Sequence, residues 1–173
     1  HGRPTDHLPR ATRQMEGKLR KLMNEAGESA QVHDLLNQAI EATVEGYDAE
    51  ARDALAAEFK DFMQELGTFK FSLTRPYFTN PEKKQPGSGG LFSVTVDPYT
   101  CKGCMECIEV CSDDALRSVT QTRESVADMR KNWEFWLDLP STADKYNRVD
   151  SLEDGVGALQ TILLNKDAYL PFA

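Results

Sequence analysis

The sequence lacks any apolar run near the ~18 residues that a membrane-crossing helix needs, and no charged-then-apolar leader pattern stands at its start. No membrane partner is expected. Positive charge is also short, since 20 Lys and Arg against 28 Asp and Glu leave a net charge of −8. Nucleic acid, itself an anion, would be repelled and is not expected as a partner. No nucleophile–base constellation, phosphate-binding loop or haem motif is present, so the segment carries no catalytic centre of its own. Cysteine is scarce: the four residues all lie between positions 101 and 111, which excludes a disulfide framework tying distant parts of the chain. What remains is a chain of 173 residues with 40% hydrophobic and 28% charged residues. That is enough to bury about 70% of its unfolded surface, and one core or two lobes of a soluble, cytoplasmic protein are expected. The start at His1-Gly2 and the stop after an apparent helix suggest a piece of a longer polypeptide.

Periodicity divides the chain. Residues 1–12 hold Pro4 and Pro9 without a period and read as a disordered tail or expression remnant. A helical lobe, a hairpin or three helices, is expected over 13–78. Its first stripe is Met15, Leu19, Leu22, Met23 and Ala26, stopped by Gly27. Ser29 is the expected cap of a second helix with Val32, Leu35, Leu36, Ala39, Ile40 and Val44, and a third places Leu55, Phe59, Phe62, Met63 and Leu66 inward before Gly67. The Pro- and Gly-rich tract 79–90 has the composition of a linker, and the main boundary is placed there. In 91–96 the alternation of Phe92, Val94 and Val96 predicts a half-buried strand ended by Asp97-Pro98. A helical turn over 113–116 and a return strand over 117–122 with Val119 inward complete a small unit at 91–122. The predicted fold class is therefore α+β. A helical extension over 123–173 follows, with Val126, Met129, Trp133, Trp136 and Leu137 on one helix and Leu152, Val156, Leu159, Ile162 and Leu163 on a last one.

The chemistry lies in the cysteines. Cys101, Cys104, Cys107 and Cys111 have the spacing C-x₂-C-x₂-C-x₃-C of bacterial-type iron–sulfur ligation. Two-residue gaps let the backbone curl round one face of a cubane so that three thiolates reach three irons. The longer gap sets Cys111 one helical turn on, where in two-cluster proteins the fourth thiolate serves the other cluster. No second cysteine run completes either set, so three arrangements are open: a ligand from outside this chain, Cys111 bent back onto the same cube, or an empty site. The rival chemistry is a structural Cys₄ site, holding zinc or a static cluster in a partner-binding module, although zinc ribbons separate their knuckles by ~15–20 residues.

From Gly87 onward the sequence resembles the ferredoxin-like iron–sulfur domain of pyruvate:ferredoxin oxidoreductase and related 2-oxoacid:acceptor oxidoreductases. The resemblance rests on Pro86-Gly87-Ser88-Gly89-Gly90-Leu91-Phe92, on Cys101-Lys102-Gly103-Cys104 with Cys107 and Glu109-Val110-Cys111, and on Lys131-Asn132-Trp133-Glu134-Phe135-Trp136 with Leu139-Pro140. It implies a 4Fe–4S cluster on Cys101, Cys104 and Cys107, with Cys111 serving a sister cluster. It also implies a downstream domain holding thiamine diphosphate and Mg, neighbouring domains or subunits of the parent oxidoreductase, and a soluble carrier, ferredoxin or flavodoxin, that takes single electrons. Ser112 stands where the family usually has proline and Met105 where glycine is common.

Other residues carry blander readings. Lys83, Lys84 and Lys102 could attract an acidic carrier, but such lysines are usually just solvated. Trp133 and Trp136 read as packing. His7 and His33 have no second ligand at metal-binding spacing, and Glu106 and Glu109 sit too close to thiolates to form an acid–base pair.

Overall fold

The computed structural model describes residues 5–27 and 29–146, and the expected last helix with Leu152 and Leu163 lies outside them. The chain divides into two compact units, His1–Val94 and Thr95–Ala173.

Three helices build the first unit. α1 (Leu8–Ala26) starts about two turns before the periodic stripe, because Pro9 is welcome in a first helical turn, where its missing N–H has no partner to lose. It buries Ala11, Met15 and Met23 at four-residue multiples and stops at Gly27, whose φ of 76° suits a residue without Cβ. α2 (Val32–Val44) buries Val32, Leu35, Leu36, Ala39, Thr43 and Val44. Gln31, not Ser29, is its N-cap, and the buried Thr43 hydroxyl donates back to the Ala39 carbonyl at 2.7 Å. α3 (Ala49–Leu66) is capped by the Asp48 carboxylate, which accepts from the Ala51 N–H at 3.0 Å. Leu55, Phe59 and Leu66 face inward, whereas Phe62, at the helical spacing of the same stripe, is 43% exposed.

α1 lies along α2, with α3 against both. Beyond α3 the chain returns under α1, so that Leu73 and Phe78 join Met23, Val32 and Leu35 in one apolar cluster. His33 bonds the Gly67 carbonyl at 3.1 Å, tying the start of α2 to the end of α3. A π-turn over Arg75–Thr79 leads into α4 (Asn80–Lys84). The tract that reads as a linker is therefore wound round a buried carboxylate. Glu82 accepts the Gly87 N–H at 2.9 Å and the Gly89 N–H at 2.8 Å, with Arg20 3.7 Å away. A Cβ on Gly89 would stand 2.8 Å from the Phe78 ring and 2.9 Å from Glu82, so only glycine fits.

The expected α+β class is overturned: the described residues hold helices and no strand. Of 91–96, only Phe92 pairs, in one antiparallel bridge to Ser72, with its ring stacked 5.6 Å from that of Tyr77. Val94 is 68% exposed, Val96 46% and Val119 76%, so the supposed inward faces meet solvent. The reason is the want of a partner. Alternation sorts side chains between two faces, but a strand exists only where a neighbour supplies the ladder, and 117–122 offers one apolar residue among polar ones. Among the described residues a ferredoxin-like sheet is not formed. Among the described residues of the second unit the regular elements are instead α5 (Glu106–Glu109), α6 (Arg123–Asp138) and a 3₁₀ turn at Asp144–Tyr146; in place of the helical turn expected over 113–116 there is a single turn at 112–113. α6 opens on a reciprocal capping box between Thr122 and Ser125. No helix among the described residues is long and apolar enough to cross a membrane.

Candidate metal centre

The cysteine loop is entered through a tight turn. Pro98 fixes φ at the second position, and the Asp97 carboxylate accepts from the Tyr99 N–H and from the Thr100 hydroxyl, both at 2.8 Å. The Asp97 carbonyl then accepts from the Cys101 N–H at 3.0 Å, closing the turn on the first thiol-bearing residue. Gly103 and Met105 follow with φ of 64° and 68°. Two left-handed residues flanking Cys104 curl the backbone, and for Met105 that conformation is a strain that glycine would not feel. Met105 then caps α5, its carbonyl accepting from the N–H groups of Ile108 and Glu109.

Cys101, Cys104 and Cys107 are exposed and free, with Cys107 inside α5, while Cys111, just past it, is half-buried. The backbone N–H groups of Ala115, Leu116 and Asp113 converge on the Cys111 sulfur and hold its thiol below the ordinary range, against desolvation and the Asp113 charge. Among the described residues no three His, Cys, Asp or Glu side chains are gathered closely enough to hold an ion. The structure thus brings the four cysteines onto one loop but does not close them into a ligand set. In chemistry the set fits a thiolate-bound iron–sulfur group: four soft sulfur donors, the last of them faced by backbone amides that lower its pKa.

The remaining candidates fall into place by packing. Trp133 is buried, with the Trp136 ring stacked 4.9 Å away at 19°. Lys83 and Lys84 end α4 in the first unit, and Lys102 belongs to the cysteine loop of the second. A cleft of about 660 Å³ beside α1 is lined by Met23, Asn24, Leu73, Phe78 and Glu82 among others, but its carboxylate is already committed to Gly87, Gly89 and Arg20. Sequence reading missed this carboxylate site; its signal was Glu82 followed by the glycines at 87 and 89, whose bare amides suit an anion. Asp97, read from the sequence only as part of a strand end, heads the turn that leads to Cys101.

No family model matches the chain, and no solved structure does. Three curated proteins match in part. The mitochondrial pyruvate dehydrogenase [NADP(+)] of Euglena gracilis is 34% identical over 71 residues, 41% of this chain and 4% of that protein. The pyruvate dehydrogenase [NADP(+)] of Cryptosporidium parvum is 28% identical over 93 residues, 53% of this chain and 5% of the relative. A pyruvate-flavodoxin oxidoreductase of Synechocystis is 35% identical over 71 residues, 37% of this chain and 6% of the relative. The chain is thus similar in part to pyruvate oxidoreductases and spans about one-twentieth of the length of those it matches.

Proposed function

We propose that this chain is an electron-relay segment of a pyruvate-type 2-oxoacid oxidoreductase, in which Cys101, Cys104 and Cys107 hold a 4Fe–4S cluster and Cys111 serves a second one completed from outside the chain. The observation that carries the reading is four thiols within eleven residues, in a unit whose described part buries one large apolar side chain, Trp133. Such a unit has little core to hold it, and thiolate–metal bonds are the usual substitute. The partial similarity to proteins named for pyruvate oxidation supports the context. A bound cluster would supply acceptance and release of one electron at a time. The chain's own part is to present the thiolates, to aim loop amides at them and to set the local charge, where Glu106 and Glu109 disfavour added electrons. Oxoacid, thiamine diphosphate and Mg chemistry belongs to other domains of the parent enzyme, and a ferredoxin or flavodoxin is the natural acceptor. Free thiols suit a reducing compartment such as the cytoplasm.

The test is anaerobic reconstitution of the full chain with ferrous iron and sulfide. Brown protein whose visible absorption is bleached by dithionite is expected, with Cys104→Ala abolishing iron uptake and Cys111→Ala sparing it. A colourless chain that takes up stoichiometric zinc and no iron overturns the relay in favour of a structural site.

A further inference from the structure

The turn that delivers Cys101 is anchored at both ends, and one of the anchors is remote in sequence. Asp97 holds the turn from within through its bonds to Tyr99, Thr100 and Cys101. From outside, the Arg130 guanidinium of α6 stands over the Tyr99 ring, 5.5 Å from its centroid, a cation–π contact between the capped helix and the loop's entrance. Tyr99 is 60% exposed, so burial does not fix its ring; the arginine is what it lies against. The first thiol of the run is therefore held in register with a sixteen-residue helix, whereas the loop from Gly103 onward depends on its own left-handed turns.

We infer that Arg130, acting through Tyr99 and the Asp97 turn, is a positioning residue for Cys101: it presents the first thiol to an iron–sulfur group and brings a cationic charge beside it. This rests on the relay proposed above. Two consequences follow from the chemistry. Outer-shell groups that orient a ligand affect loading, typically by about tenfold or more when removed. A cation beside an anionic group stabilises its reduced form, so its removal shifts the potential downward. The lone positive residue between positions 97 and 114 is Lys102, set among Asp97, Glu106, Glu109, Asp113 and Asp114, so a further cation from α6 alters the balance there.

The experiment uses the full chain in three forms, wild type, Arg130→Gln and Arg130→Lys. Arg130 is exposed on α6, so neither substitution removes core packing, and unchanged far-ultraviolet circular dichroism checks this. In the metal-free chain, hydrogen exchange at the Cys101 amide should quicken in Arg130→Gln. During anaerobic loading with ferrous iron and sulfide, uptake should slow about tenfold and the midpoint potential should fall, with Arg130→Lys restoring both. Exchange, uptake and potential all equal to wild type in Arg130→Gln overturn the positioning role while leaving the relay standing. A slowdown that Arg130→Lys does not relieve overturns it as well. Failure of the wild type itself to take up iron overturns the relay, and the role of Arg130 in it.

Discussion

A buried carboxylate is the residue on which the first unit's last turn depends. Burial alone would push Glu82 up, but the Gly87 and Gly89 amides, the Arg20 charge and Asn24 outweigh it and hold the group below the ordinary carboxylate range. Its contribution to stability is therefore present above the unfolded pKa and is lost as pH falls through the folded one. In Glu82→Gln one glycine amide would face an amide NH₂ in place of an oxygen, which should cost about 1–3 kcal/mol at neutral pH. Urea unfolding followed by helical circular dichroism should give a gap between wild type and variant that narrows as pH drops below about 4.3. A gap constant down to the acid limit would mean the charge of Glu82 is not what matters. The local sequence hints at this role only through the spacing of Glu82 and the glycines at 87 and 89. Prolines and glycines between positions 81 and 90 have loop composition whether the loop is free or wrapped on an anion, and only the return of the chain beneath α1 makes the carboxylate a centre.

Elements were legible where the signal is intrahelical and opaque where it needs a partner. The stripes of α1, α2 and α3 can be read from spacing because each helix satisfies its own backbone and needs a neighbour only for its apolar side. Alternation in 91–96 carries no such guarantee, and Phe92 found one bridging residue in place of a strand. The cysteine loop lies between these cases. Its spacing is readable from four letters, yet its conformation turns on Met105 in a left-handed position, which the residue type does not announce. Met105→Gly should relieve that strain by about 1 kcal/mol, the cost of a side chain in this region less the entropy glycine adds to the unfolded loop. The readout is local: the Ile108 and Glu109 amides, which donate to the carbonyl of residue 105, should exchange roughly fivefold more slowly. Faster exchange would show that the methionine side chain, 44% exposed, packs usefully after all.

At the scale of the whole molecule the two units differ in what could hold them. Every buried apolar side chain among the described residues except Trp133 precedes Val94, from Ala11 to Phe78. The helical unit can therefore be stable on hydrophobic burial alone, while the described part of the second unit has a capped helix, a stacked tryptophan pair, an arginine–tyrosine contact and four thiols. If those thiols bind an iron–sulfur group, binding free energy becomes ordering free energy for the loop that carries them. Hydrogen exchange measured before and after anaerobic loading should then show protection rising over positions 97–122 and staying level in α1, α2 and α3. The contrast is sharp because the helical amides already have their partners and the loop amides in large part do not. Protection that rises equally in both units would mean that the metal stabilises one cooperative body. Protection that rises nowhere despite bound iron would mean that the loop is as ordered without metal as with it, and that the thiols alone do not decide its fold.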